Sequence, residues 1–320
     1  MIRYAVARVA SAVLVLLGVS AVVFAVADAT PGDPLAGQDT QNMTEEQLAG
    51  LRAAYGLDRP PVERYLAWLG QFAIGNWGTS LSGGRPVTSL VLEPFANTLV
   101  LTVAAVLLCL VFGTLIGAVA GFRQGSVADR ISMGVVQIGH NAPTYWFGVV
   151  LVGVFALWLG WLPASGMRDL RGDGGVVDLL RHLALPAVAA SFGSMLILAR
   201  LVRSKIIDIS HADYIRLFRS LGISPARIRA RHYGRNTLPT VITITGLQIG
   251  ALMSGVLFVE KVFVWPGIGT QLFNAIAAKD FLVIQAGVML VAVTFVTVNL
   301  ITDLTLDALN PRLRTPRRTA

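Results

Sequence analysis

The sequence predicts an all-α integral membrane protein of six transmembrane helices, with a small helical segment outside the membrane after the first span. Three observations predict it. Of its 320 residues, 54% are hydrophobic and only 14% charged, against about 25% charged in soluble domains. Mean hydropathy is +0.66. Six segments, 9–28, 97–121, 133–161, 183–201, 240–260 and 281–303, are apolar over the roughly 20 residues that a helix needs to cross a bilayer core. The 26 basic residues (23 Arg and 3 Lys) are divided unevenly among the polar segments between them.

Taken in order, residues 1–28 form the N-terminus and first span. Its basic start, apolar middle and Ala25-Val26-Ala27 end also fit a cleavable signal peptide, although the apolar run is long for one. Residues 29–96 form the outer segment, with amphipathic helices expected at Thr44–Tyr55 and around Pro61–Phe72. It is too short and too poor in strand pattern for an enzyme domain. Residues 97–303 form a five-helix core that includes a polar loop at 204–239, and 304–320 form a tail. Pro143 predicts a kink or an interfacial lead-in for the third span. With the N-terminus inside, the inner segments carry 17 basic residues and the outer segments 9, although the outer ones are longer. Both termini and the 204–239 loop are therefore expected in the cytoplasm.

Composition excludes several classes. The single cysteine, Cys109, lies in an apolar run, and the four histidines have no ligand-like spacing, so no thiolate or HExxH metal site is expected. The net charge of +8 is explained by membrane orientation, so no nucleic-acid partner is expected.

The loop at 204–239 is the most structured polar segment. Ser210 followed by Asp213 resembles a capping box. Tyr214, Phe218 and Leu221 fall at i, i+4 and i+7, an apolar stripe on a short helix flanked by Arg216. Gly222 suits the left-handed residue that ends such a helix. Ser224-Pro225 suits a new N-cap with proline at N1, opening a second short helix through Arg227 and His232 toward Arg235, with Asn236–Pro239 closing it. Two readings stand at this point. The helical pair lies on the anionic inner leaflet, its arginines contributing about 1 kcal/mol each, or it is a docking surface for a soluble partner.

Asp213-Tyr214-Ile215-Arg216, Gly222, His232, Arg235-Asn236 and Leu238-Pro239 resemble the cytoplasmic signature loop of ABC-importer permeases, in particular the dipeptide/oligopeptide/nickel branch. Pro31-Gly32-Asp33-Pro34, Tyr55-Gly56-Leu57-Asp58 and Gly75-Asn76-Trp77-Gly78 resemble that branch's outer segment. Pro266-Gly267-Ile268-Gly269 resembles its last outer loop, and Asp303 through Asp307-Ala308-Leu309-Asn310-Pro311-Arg312 its C-terminal end. The chain departs from the pattern at Leu217-Phe218-Arg219-Ser220-Leu221, where small residues are usual. Phe218 there implies a bulkier ridge and a partner with a matching groove.

The resemblance implies a type I ABC-importer permease fold in the cytoplasmic membrane of a bacterium. It also implies a second homologous permease subunit, two ATP-binding subunits and an extracytoplasmic solute-binding protein. No GxxxxGK[ST] phosphate loop occurs, so ATP and Mg are expected on partner subunits, with no cofactor on this chain. The Asp213–Gly222 helix would seat in a groove on an ATPase. The outer segments 84–93, 162–178 and 265–281, with Pro266, Gly267 and Gly269, are candidate contacts for the binding protein.

For the pathway, polar residues within spans are costly in lipid and are expected to face the bundle or a water-filled path. His140, Asn141, Gln248 and Ser254 are the candidates. Gln248 leads because Gly246, Gly250 and Gly255 leave room around it, although these glycines equally suit helix packing. Asn97, Ser191 and Asn299 belong to the same group; the alternative for each is an interhelical hydrogen bond. A secondary transporter or channel that works without ATP is the rival reading. It calls for ion-coupling charges within spans and for inverted-repeat symmetry, and neither is visible. An intramembrane enzyme would need a catalytic constellation at depth, which His140 alone does not supply.

Overall fold

The computed structural model describes residues 2–29, 44, 46–47, 50, 58–80, 82–140, 142–169 and 174–309. The motifs at Pro31–Pro34, Tyr55–Leu57 and Asn310–Arg312 lie outside them, as does most of the expected Thr44–Tyr55 helix. Its start is described: the Thr44 N–H donates to Gln47 Oε1 (2.9 Å), and the Gln47 N–H donates to Thr44 Oγ1 (3.3 Å).

The described residues are almost wholly helical. Four helices or continuous helical runs are long and apolar enough to cross a membrane, and two bent pairs bring the number to six. The chain divides into two compact units. The first holds residues 1–98 and 266–297, and the second holds 99–265 and 298–320.

In the first unit, α1 (Ile2–Ala29) is an uninterrupted apolar span, and α2 (Pro61–Ala73) starts with proline at N1. A tight hairpin at 78–86, closed by the Ser80 N–H on the Arg85 carbonyl (2.8 Å), leads into α3 (Val87–Leu108).

In the second unit, α3 continues through a π-helical turn, Cys109–Gly113, into α4 (Thr114–Phe122). Next come α5 (Val127–His140) and α6 (Thr144–Leu151). The expected third span is the α5–α6 pair, and its halves lie 110° apart. Pro143 sits at the break with ψ 133°, because proline can neither donate an N–H nor leave its predecessor free to be helical. The break is sharper than the expected kink.

The helix α7 (Val176–His211) runs 36 residues, about 54 Å at 1.5 Å per residue. That exceeds a hydrocarbon core of about 30 Å, so α7 carries the chain well beyond the bilayer. It packs on the π-helical turn and α4 through Gly113, Gly117 and Gly121, spaced one turn apart. A Cβ on Gly117 would stand 2.4 Å from the Ala199 carbonyl oxygen and 2.8 Å from Val202 Cβ. Small residues at this spacing let membrane helices approach backbone to backbone.

The helices α8 (Asp213–Ser220) and α9 (Pro225–Ile228) follow, and a π-helical turn, Arg229–Tyr233, leads into α10 (Gly234–Val262). The first unit then takes up α11 (Ile268–Ala277) and the start of α12 (Phe281–Leu309).

Two expectations for the polar loop are corrected. Ser210 does not cap α8: α7 runs on through His211, and the Ser210 hydroxyl donates back to the Ile207 carbonyl (2.8 Å). The N-cap is Ala212, in extended conformation. Nor does a separate second helix end at Asn236–Pro239. α9 passes through the π-helical turn into α10 unbroken, with Pro239 inside the helix. Membrane helices accept an interior proline when local π adjustments and neighbouring side chains satisfy the freed backbone.

Candidate functional site

α8 is held at both ends and along its inner face. At its C-terminus Leu221 is the C-cap and Gly222 takes φ +72°. The Gly222 N–H donates to the Arg219 carbonyl (3.1 Å) and the Ile223 N–H to the Phe218 carbonyl (3.1 Å), the bond pattern of a Schellman ending. On its inner face Ile215 is fully buried. It joins Leu198, Val202, Ile206 and Ile209 of α7, Ile228 of α9, and Tyr233 and Val241 in one apolar cluster. A force on α8 therefore bears on α7 and on the α9–α10 run together.

Phe218 is not on the outer ridge. Its ring is half-buried against His232 (centroids 4.4 Å) and meets the Tyr214 ring edge-on at 6.0 Å. The Tyr214 hydroxyl accepts from Asn236 Nδ2 (3.3 Å). The residues that project are Tyr214, Leu217 and Leu221, 39%, 55% and 67% exposed. Leu217 thus replaces Phe218 in the expected stripe, because the inward direction of α8 is set by Ile215. Arg216, Arg219, Arg227 and Arg235 are exposed around this ridge. The Arg216–Asp213 pair at 3.8 Å is open to solvent and contributes little to stability.

Beside the loop, a clamp ties the turn between α4 and α5 to α7. Asp129, buried, receives Arg203 Nε (2.6 Å) and a second guanidinium nitrogen (2.8 Å), and also the Gly125 N–H (2.9 Å). A two-pronged guanidinium–carboxylate bond fixes orientation as well as distance. It holds α7 eight residues before its end, where α8 begins.

In the first unit, Asp280 organises the start of α12 and the hairpin at once. Lys279 turns the chain at φ +54°. The buried Asp280 carboxylate then accepts from the Ser80 hydroxyl, the Ser82 hydroxyl (2.9 Å) and the Val283 N–H (3.4 Å). One side chain caps α12 and pins the hairpin. Asn97 Nδ2 donates to the Pro266 carbonyl (2.9 Å), and Thr98 Oγ1 accepts the Ile268 N–H (2.8 Å), which positions the start of α11. Of the three outer-loop candidates, Pro266 is exposed, whereas Gly267 and Gly269 are buried and are out of reach of a docking protein.

Among the pathway candidates, Asn141 and the side chains of His140 and Ser254 lie outside the described residues. Gln248 is partly buried, with a buried Nε2 that has no hydrogen-bond partner among the described residues; Thr245 Oγ1, one turn before it, is in the same condition. The neighbouring glycines divide. Gly246 is a packing contact, since an added Cβ would meet Thr302 Cγ2 at 2.0 Å, whereas a Cβ added at Gly255 would meet no atom of the described residues within 4 Å. Ser191 donates to its own helix at the Val188 carbonyl (3.1 Å).

Four features escaped the sequence reading. The glycine triplet and the aspartate before an apolar run at Asp280 were visible signals, of close packing and of an N-cap. The inward position of Ile215 and the Asp129–Arg203 pair, 74 residues apart, were not.

Known proteins share this architecture. Residues 113–315 match the family model "Binding-protein-dependent transport system inner membrane component", and residues 1–102 match the corresponding N-terminal model. The chain is 35% identical to the di/tripeptide transport system permease protein DppB of Pseudomonas aeruginosa, over 99% of this chain and 100% of that protein. It is 33% identical to the oligopeptide transport system permease protein AppB of Bacillus subtilis, over 98% and 99%. A solved structure of the MetNI methionine ABC transporter in an inward-facing conformation matches in fold, with TM-score 0.54 and 15% identity. That match covers 70% of this chain and 98% of the other. The chain belongs to the family of binding-protein-dependent transport system inner membrane components, the multi-pass permeases of ABC importers.

Proposed function

We propose that this permease forms half of a translocation pore for peptides, or for a related small solute such as a nickel chelate. The other half is a second homologous permease subunit. Two ATP-binding subunits supply the energy, with ATP and Mg bound on them and no cofactor on this chain, and an extracytoplasmic solute-binding protein delivers the cargo. The chain sits in the cytoplasmic membrane of a bacterium with both termini in the cytoplasm, which the excess of basic residues in the inner segments supports.

The observation that carries the coupling role is the α8 ridge. Tyr214, Leu217 and Leu221 are exposed apolar side chains on a helix that Ile215 and the Gly222 ending hold rigidly. Anchors of this kind seated in a partner's pocket carry most of the energy of an interface. Movement of the ATPases would shift α8, and the shared cluster would pass the shift to α7 and α10. This is a two-state element biased by a ligand on a partner. The peptide cargo is supported by the names of the relatives.

The test is uptake into vesicles. The full set of subunits with ATP is expected to accumulate labelled peptide, and this chain without ATPases is not. Uptake by this chain alone would establish the ATP-independent rival.

A further inference from the structure

The helix α2 has three faces. Tyr65, Trp68 and Phe72, at i, i+3 and i+7, form an aromatic face. Val62, Leu66, Leu69 and Ala73 form an aliphatic stripe about 100° around the helix from it. Glu63 and Gln71 lie on the remaining side. The aromatic face is occupied within the first unit. Phe24 of α1 packs on Tyr65 (5.5 Å between centroids) and Trp68 (6.0 Å), and the ladder continues through Phe72 to Trp77. Among the described residues the aliphatic stripe is largely open: Val62 is 68% exposed and Leu66 60%, Ala73 is exposed, and Leu69 is half-buried.

Contacts with α1 fix the depth of α2. Arg64 pairs with Asp28, near the end of the span, while the Tyr65 hydroxyl reaches back to Ser20 Oγ (2.9 Å). The span Val6–Ala29 has 24 residues, about 36 Å long, which exceeds the hydrocarbon core by about 3 Å at each end. Ser20 lies nine residues before Ala29, hence about 10 Å inside the hydrocarbon boundary, and Phe24 about 4 Å inside. Only Asp28 and Arg64 reach the headgroups. A helix that meets α1 at this depth has its aliphatic stripe at the level of the acyl chains, where α1 likewise exposes Val22 and Val26. Tyr65 and Trp68 are the residue types enriched at this boundary, and the Arg64 guanidinium, paired with Asp28, stands over the Phe24 ring (5.8 Å to its centroid).

We propose that α2 is an interfacial anchor whose Val62–Leu66–Leu69–Ala73 stripe is seated in membrane lipid at the outer end of α1. This part of the outer segment is then a lipid contact, not a surface for the solute-binding protein. The inference stands on the membrane-embedded fold and is independent of cargo and coupling.

The test uses the full chain, assembled with its partners in vesicles of phosphatidylethanolamine and phosphatidylglycerol. Cys109, the sole cysteine, is replaced by alanine, and single cysteines at 62, 66, 63 and 71 receive a nitroxide label. Collision with oxygen, which partitions into lipid, is compared with collision with a water-soluble nickel chelate. Oxygen is expected to dominate at 62 and 66, and the ratio to invert at 63 and 71. Dominance of the chelate at 62 and 66, or exclusion of both reagents by a covering protein, would overturn the proposal. If a labelled chain does not insert, quenching by brominated lipids is compared between the unlabelled protein and Trp68→Phe. A smaller quenched fraction in the variant supports the proposal, and an unchanged fraction overturns it.

Discussion

Leu217→Asp combined with Leu221→Asp is expected to abolish assembly with the ATP-binding subunits while leaving the permease folded. Both side chains are more than half exposed, so neither substitution buries a charge in the chain itself. In a pocket of the partner each would lose an apolar anchor and desolvate a carboxylate. A loss of about 2 kcal/mol per site weakens docking about 30-fold for each. Co-purification of the ATPases and ATP-driven uptake should both fall below detection, with permease expression and melting temperature near those of the parent. Phe218→Asp is expected to behave differently, because its ring is wedged between Tyr214 and His232. It should lower the stability of the permease along with assembly. Retention of the ATPases by the double Leu variant would remove the ridge from the interface.

Gly117→Val is expected to have the largest effect on folding. Its first added carbon would already stand 2.4 Å from the Ala199 carbonyl oxygen, and a backbone atom cannot rotate away. α4 and α7 must separate, losing the contacts of Gly113 and Gly121 as well. Overpacking of this kind costs about 3 kcal/mol, comparable to a large part of a domain's net stability. The expected result is loss of the folded permease from the membrane fraction and a sharply lowered melting temperature in detergent. Gly18→Ala is the matched control. Nothing lies within 4 Å of its added carbon, and alanine is the better helix former by about 1 kcal/mol. Equal behaviour of the two variants would mean that the α4–α7 contact is not close-packed.

Much of this architecture was legible in the sequence, because hydrophobic span length and turn chemistry are local signals. The six apolar segments and Pro61–Phe72 each correspond to observed helices, and Gly222 takes the left-handed conformation that its place after a short amphipathic helix implied. What failed depended on tertiary context. Ser210 has the residue type of a cap, but the preceding span does not stop where the membrane does, so the hydroxyl falls inside a helix. Pro239 has the residue type of a terminator, yet the preceding π-helical turn and the packing of α10 absorb it. Phe218 fits the periodicity of an outer stripe. A residue spacing fixes which side chains share a face, but not which face turns outward, and the burial of Ile215 decides that. The Asp129–Arg203 and Asp280–Ser80 contacts join residues far apart in sequence, and no local pattern announces them.

The most direct measurement is a cross-link from the ridge. In the assembled importer, with Cys109 replaced by alanine, a single cysteine at position 221 is joined by a short bifunctional maleimide to cysteines placed on the ATP-binding subunits. The expected result is a permease–ATPase adduct whose yield changes between the nucleotide-free and ATP-bound states. Absence of the adduct in both states from an importer that still drives uptake with ATP would contradict coupling through α8.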